Sequence, residues 1–189
     1  MQVAVLALGA IAFADMLCEG AAADWAAVYL HSTLRTSVAV AGLGYTVYSL
    51  AMVAVGLPGN RLNRKLLVER LLPFSASIAS VGFAAALVTG QTAVVLLGFA
   101  CLGAGLASII PNVFSAAGRT PGVHAGSAVA AVSAFGWAGF ILGPPVIGEL
   151  ASATSLRVAL IVLPLLTSAV AISTARVPAL RRQAPVPGE

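Results

Sequence analysis

Charge is what this sequence has least of. Of its 189 residues only 8% are Asp, Glu, Lys or Arg, against 60% hydrophobic, and the mean hydropathy is +1.02. A water-soluble domain carries roughly a quarter of its residues as charges, so this composition excludes an ordinary globular surface facing water. Histidine and cysteine each occur twice. His31 and His124 lie far apart in connecting segments, without a second ligand at a metal-binding spacing. Cys18 and Cys101 fall inside apolar runs, where a thiol packs as a small hydrophobe. No metal site, disulfide or cofactor is expected. Sustained polar–apolar alternation is missing too, which argues against a membrane β-barrel. There is no HExxH and no nucleophile elbow, and the last apolar run holds no histidine to serve a serine on a facing segment. An intramembrane enzyme is therefore not expected.

What is present is a series of long apolar runs. A helix needs about 20 mostly apolar residues to cross a bilayer, and six segments qualify: Val3–Leu30, Val38–Leu57, Leu71–Val88, Val94–Phe114, Ala125–Ile147 and Leu156–Thr174. They are rich in Ala, Leu and Gly, and the sequence reads as an all-α membrane protein. The bundle is expected over residues 1–177. Residues 178–189, with their prolines and no apolar period, are expected to form a disordered cytoplasmic tail. The formal net charge is +4. Its cations are few and scattered between apolar runs, so they are read as topology signals and not as a nucleic-acid footprint. With both termini on one side, that side holds Arg61, Arg64, Lys65, Arg70, Arg119, Arg176, Arg181 and Arg182, and the other holds only Arg35 and Arg157. Basic loops stay in the cytoplasm, so both termini are expected there, in a multi-pass protein of the cell (inner or plasma) membrane. Trp25 and Tyr29 then belong to the aromatic belt at the outer end of the first span.

The second run ends "VGLPGN" and the fifth "LGPPVIG". Each is a Gly-Pro break in the middle helix of a three-helix set, on opposite sides of the membrane. Two inverted three-helix repeats give that arrangement.

The acids are unevenly placed. Three of the six, Asp15, Glu19 and Asp24, sit in the first apolar run. At about 100° per residue, Asp15 and Glu19 differ by about 40° and share a face near mid-membrane. A charge there costs at least ~2.5–3.5 kcal/mol on insertion scales. The pair must therefore face a water-filled cavity, carry protons, or both. Low dielectric and a neighbouring like charge both favour the neutral acid, which is the requirement for a proton-coupling site. The alternative is a pair of hydrogen-bonded acids that fix helix packing. Asp24 lies about 7–8 Å further along the axis than Glu19, toward the outer mouth. In the fourth run, Ser108 and Asn112 share a face beside Pro111, which can kink a helix. They are read either as a cavity wall or as groups satisfying a freed carbonyl. Gly139, Gly143 and Pro144 in the fifth run form a hinge candidate. Phe135 and Trp137 nearby are read as lipid-facing or packing residues.

Four stretches carry a family resemblance: "EGAAADWAAVYL", "GLPGNRLNRK", "GLASIIPNVFSAAGRTPG" and "GFILGPPVIGELASATSLR". Together they resemble the carboxy-terminal half of a major facilitator superfamily transporter. The first is similar to the seventh helix of bacterial fucose-permease-like members. The second resembles the superfamily's gating loop, with Gly56, Arg61, Arg64 and Lys65 on its glycine and basic positions. Asn60 stands where the family has an aspartate, which removes a charge engaged in state switching. The resemblance implies half of a twelve-helix fold, with solute bound at the midplane between two six-helix bundles. It places Asp15, Glu19, Ser108 and Asn112 on the wall of that cavity, with Asp24 kept as a candidate at its outer mouth. It also implies partners: the lipid bilayer, a small solute, and either an amino-terminal half, from the same gene or a separate chain, or a second copy in a parallel homodimer. A piece of a longer gene is the favoured reading, because the chain opens at the family's seventh helix. The implied function is secondary active transport by alternating access, with the proton as the coupling ion. The competing reading is a non-transporting membrane assembly protein or an inactive fragment. A carboxy-terminal green fluorescent protein fusion is expected to fluoresce in cells, and an alkaline phosphatase fusion at the same point to be inactive. The opposite pair of results would invert the topology.

Overall fold

The computed structural model describes residues 2–65, 68–177 and 180, with side chains described for 3–57, 70–177 and 180. Helix α1 (Gln2–Val28) runs into a π-helical turn, Tyr29–Thr33. It is followed by α2 (Val38–Lys65), α3 (Val68–Thr89), α4 (Thr92–Leu106), α5 (Ile109–Gly118), α6 (Ala125–Ala153), α7 (Leu156–Ala159) and α8 (Val162–Arg176). There is no strand among the described residues. Six stretches are long and apolar enough to cross a membrane: Val3–Thr33, Val38–Leu57, Arg70–Thr89, Thr92–Gly118, Ala125–Ala153 and Leu156–Arg176. The fourth span is α4 with α5, and the sixth is α7 with α8. The proposed tail at 178–189 lies outside the described residues except Leu180, which is buried.

Prolines decide where these helices break. The fourth span is interrupted at Ala107–Ser108, just before Pro111, and the sixth at Leu160–Ile161, just before Pro164. In both cases the proline ring would strike the carbonyl four residues back, and the chain turns there instead. Elsewhere the expected breaks are absent. α2 continues as helix through Pro58 and Gly59 to Lys65, so the stretch read as a loop after Leu57 is helical. α6 likewise runs through Pro144 and Pro145 to Ala153. Pro144 cannot donate to the Phe140 carbonyl. That oxygen instead lies against the Cα of Gly20, where a Cβ would collide with it.

The spans pair in a regular way. α1 packs chiefly on α6, α2 on α4, and α3 on both α4 and α8; α1 also touches α2, α5 and α8, and α5 touches α6. Renumbering each span by three exchanges the first–fifth pair with the fourth–second, and the third–fourth with the sixth–first. Two inverted three-helix repeats produce this map. The close approaches obey it as well. Gly20 of the first span meets a carbonyl of the fifth, and Gly103 of the fourth meets the Tyr48 carbonyl of the second. In a bilayer no hydrophobic effect drives helices together, so such backbone contacts hold the bundle by dispersion.

At the carboxy-terminal end of the third span, Arg157 donates from Nε to the Leu87 carbonyl at 2.7 Å and from Nη2 to the Val88 carbonyl at 2.6 Å. It satisfies α3's last carbonyls, with Gly90 at φ +61° just beyond. Replacing Gly103 or Gly139 with Leu is expected to lower the melting temperature of the detergent-solubilised protein. Overpacking costs about 1–3 kcal/mol, which for a chain this size is about 2–4 °C per kcal/mol. Gly42→Leu, where nothing lies within 4 Å of the added Cβ, is expected to leave it unchanged.

Candidate functional site

The first span, Val3–Thr33, has its midpoint at residue 18, so Asp15 and Glu19 flank the centre of the longest span. One helix direction, marked by Phe13, Leu17 and Gly20, packs against α6. A second, marked by Cys18, meets α8, where the thiol donates to the Leu163 carbonyl at 3.8 Å. Asp15 and Glu19 lie on a third, the side on which Ala26 and Leu30 receive Gly44 of α2. Asp15 is 1% exposed, and neither of its carboxyl oxygens has a hydrogen-bond partner among the described residues. Glu19, one turn on, is half-buried. Each lies within electrostatic reach of the other, and no described cation acts on Asp15.

A residue that sequence reasoning passed over completes the cluster. Tyr48 of α2 is fully buried, and its hydroxyl has no hydrogen-bond partner among the described residues. It lies within electrostatic reach of Asp15, Glu19 and Cys18. Its ring stacks on that of Tyr45, with centroids 5.6 Å apart and planes 17° off parallel. Its signal in the sequence was a tyrosine near the middle of an apolar span, where a phenolic oxygen needs a partner.

The other candidate residues are placed as follows. Asp24 is exposed and stands apart from the pair. Ser108 and Asn112 are buried at the α4–α5 break, and Asn112 donates from Nδ2 to the Ser108 carbonyl at 2.7 Å. α5 packs on α1, but Asp15 takes no hydrogen bond from either residue. Gly139 and Gly143 are buried against the Phe13 and Leu17 carbonyls of α1, directly behind the acidic face. The Pro144 carbonyl accepts the Trp25 indole N–H at 3.0 Å. Gly56 is exposed, and the side chains of Asn60, Arg61, Arg64 and Lys65 lie outside the described residues. Trp25 and Tyr29 correct the expectation of an outer aromatic belt. Trp25 is held inward by its bond to α6, and Tyr29 is fully buried. Phe135 and Trp137 are exposed. A shallow cavity of about 430 Å³ at the end of the first span is lined by His31, Ser32, Arg35 and Thr36. No group of three or more metal-binding side chains occurs among the described residues.

An acidic pair in mid-span, set in a bundle of paired three-helix units, is the context for the comparisons with known proteins. A sequence profile of the Major Facilitator Superfamily matches residues 6–189. The chain belongs to the Major Facilitator Superfamily. Among its relatives is the membrane protein MosC of Rhizobium meliloti, 36% identical over 157 residues, or 83% of this chain and 39% of MosC. An uncharacterised transporter of Sinorhizobium fredii is 39% identical over 87% of this chain and 44% of its own length. An uncharacterised MFS-type transporter of Yersinia pestis is 33% identical over 89% of this chain and 44% of its own length. The chain thus spans less than half the length of these relatives. Two of these relatives are named as transporters, and the superfamily together with the six apolar spans makes this chain a multi-pass membrane protein.

Asp15 is a buried polar group without a hydrogen-bond partner among the described residues, which costs about 1–3 kcal/mol. Asp15→Leu, close in shape, is expected to raise the melting temperature by several degrees. A lower melting temperature would mean that the carboxyl is held by bonds this geometry lacks.

Proposed function

We propose that this chain is the carboxy-terminal six-helix half of a proton-coupled secondary transporter of a small solute, resembling the fucose-permease-like branch. The observation that carries the reading is the Asp15–Glu19 pair, at mid-span and without a basic partner among the described residues. Carboxyls in that position are retained where protons or solute must reach them. In this reading the pair lines a chamber between the bundle and a second six-helix bundle, and the two bundles rock about it. Gly139, Gly143 and Pro144 let α6 shift against α1 behind the acids. Ser108 and Asn112, at the α4–α5 break, lie on the helix that packs beside them. The helical continuation of α2, carrying Asn60, Arg61, Arg64 and Lys65, is the gating segment on the cytoplasmic side, and both termini lie on that side of the cell membrane.

The length of the relatives supports a second bundle as the partner, supplied by the same gene or by a separate chain. A parallel homodimer satisfies the same geometry. The complete burial of Asp15 favours a second reading, an assembly role without transport. Glu19→Gln separates the two. In proteoliposomes containing the product of the complete reading frame, the variant is expected to lose pH-gradient-driven solute flux to the level of protein-free vesicles, while its fold and insertion are retained. Flux with unchanged pH dependence would contradict the coupling role.

A further inference from the structure

Proton coupling leaves the solute unnamed. Two features of the α1–α2 face bear on it. The first is charge. Asp15 and Glu19 form an acidic pair at mid-span with no counter-cation among the described residues; of the described charged groups, Glu19 is the one that acts on Asp15. The described basic side chains, Arg35, Arg70, Arg119, Arg157 and Arg176, all lie at or beyond the ends of spans. Of the other ionisable groups on helices that pack against α1, Glu149 sits near the end of α6 and Arg176 at the end of α8. The bundle's interior is therefore electrically unbalanced at this depth whenever the pair ionises.

The second feature is aromatic and comes from a different helix. Tyr45 and Tyr48 stack side by side on α2. Tyr48 is the buried member, with its hydroxyl unpartnered among the described residues and within electrostatic reach of both carboxyls. Tyr45 is 38% exposed and carries the aromatic wall out to the open face of α2. A carboxyl pair beside stacked electron-rich rings matches an organic cation: the acids supply the charge partner and the rings attract the cation across their faces. A neutral polyol would instead call for amides and hydroxyls converging at this depth. Asn112, the one amide in the fourth span, spends a donor on its own helix.

We propose that Asp15 and Glu19 of α1, with Tyr45 and Tyr48 of α2, form a recognition site for a lipophilic organic cation. The proposal rests on the transport reading for its location and adds the class of solute. Glu19 and Tyr45, the accessible members, meet the cation first. Asp15 and Tyr48 form the buried floor.

The test uses the protein expressed from its complete reading frame, in lipid nanodiscs, with radiolabelled tetraphenylphosphonium as the probe and neutral triphenylphosphine oxide as competitor. Saturable tetraphenylphosphonium binding is expected, with no displacement by the neutral compound. Tyr45→Leu is expected to weaken binding about fivefold to tenfold, on the scale of a partly desolvated cation–π contact. Tyr45→Phe should retain wild-type affinity, and Glu19→Gln should weaken binding at least as much as Tyr45→Leu. Because Tyr45 is partly exposed, its variants test the site without emptying the core. Absent binding, displacement by the neutral compound, or Tyr45→Leu and Glu19→Gln proteins that bind as wild type would overturn the proposal. Proteoliposome flux is read separately. Proton-driven flux of another solute without cation binding sinks the solute class and leaves transport standing. Cation binding without flux does the reverse.

Discussion

Hydrocarbon offers no hydrogen bonds, and the architecture follows from that constraint. Each backbone polar group within the membrane must find its partner inside the protein. Uninterrupted helix is the default, and departures from it are compensated at identifiable atoms. Pro111 and Pro164 break their spans a few residues upstream. Where Pro144 withholds a donor instead, the freed Phe140 carbonyl lies on Gly20. Thr167 returns its hydroxyl to the carbonyls of Leu163 and Pro164, while Ser80 reaches the latter from α3. Even the end of α3 is closed by a side chain from the sixth span, Arg157. The rule that allows prolines into the spans therefore also fixes which helices must touch.

The same constraint gives the acidic pair its meaning. Many Ser and Thr hydroxyls in this bundle donate to carbonyls of their own or a neighbouring helix, and Cys18 and Trp25 do likewise. Among the described residues, the Asp15 carboxyl and the buried hydroxyls of Tyr29 and Tyr48 have no partner. Asp15 and Tyr48 lie within electrostatic reach of each other, on two helices whose mutual contact is lighter than that of α1 with α6. A polar cluster left incomplete at the seam between two helices costs stability. Its retention is the physical argument for a working site, because natural proteins depart from local consistency mainly where function demands it.

Much of the fold was legible in the sequence because apolar run length is a strong signal. All six spans were expected, and the second begins at the expected residue, Val38. Boundaries were less legible. Gly56–Leu57–Pro58–Gly59 looks like a break, yet α2 passes through it, since a single missing donor does not end a helix that is otherwise continuous. The π-helical turn at Tyr29–Thr33 has no compositional signature. Of the site, Asp15 and Glu19 could be read directly, because an acid at mid-membrane is costly enough to stand out. Tyr48 could not: its importance comes from a carboxyl 33 positions earlier in the chain, and only the packing of α2 on α1 brings the two within electrostatic reach. Trp25 and Tyr29 were misread for the same reason. Their position along the span fits an interfacial belt, but their direction around the helix turns them inward.

The central claim is that water and protons reach the face of α1 that carries Asp15 and Glu19, from a chamber shared with another bundle. Thiol accessibility along α1 tests this most directly. In a background with Cys18 and Cys101 replaced by alanine, single cysteines at 15, 17, 18 and 19 are challenged in intact membranes with a small, charged, membrane-impermeant thiol reagent. The account predicts fast labelling at 19, slower labelling at 15, and protection at 17 and 18, which face α6 and α8. Equal protection at all four positions would show a sealed, dry interior and contradict it.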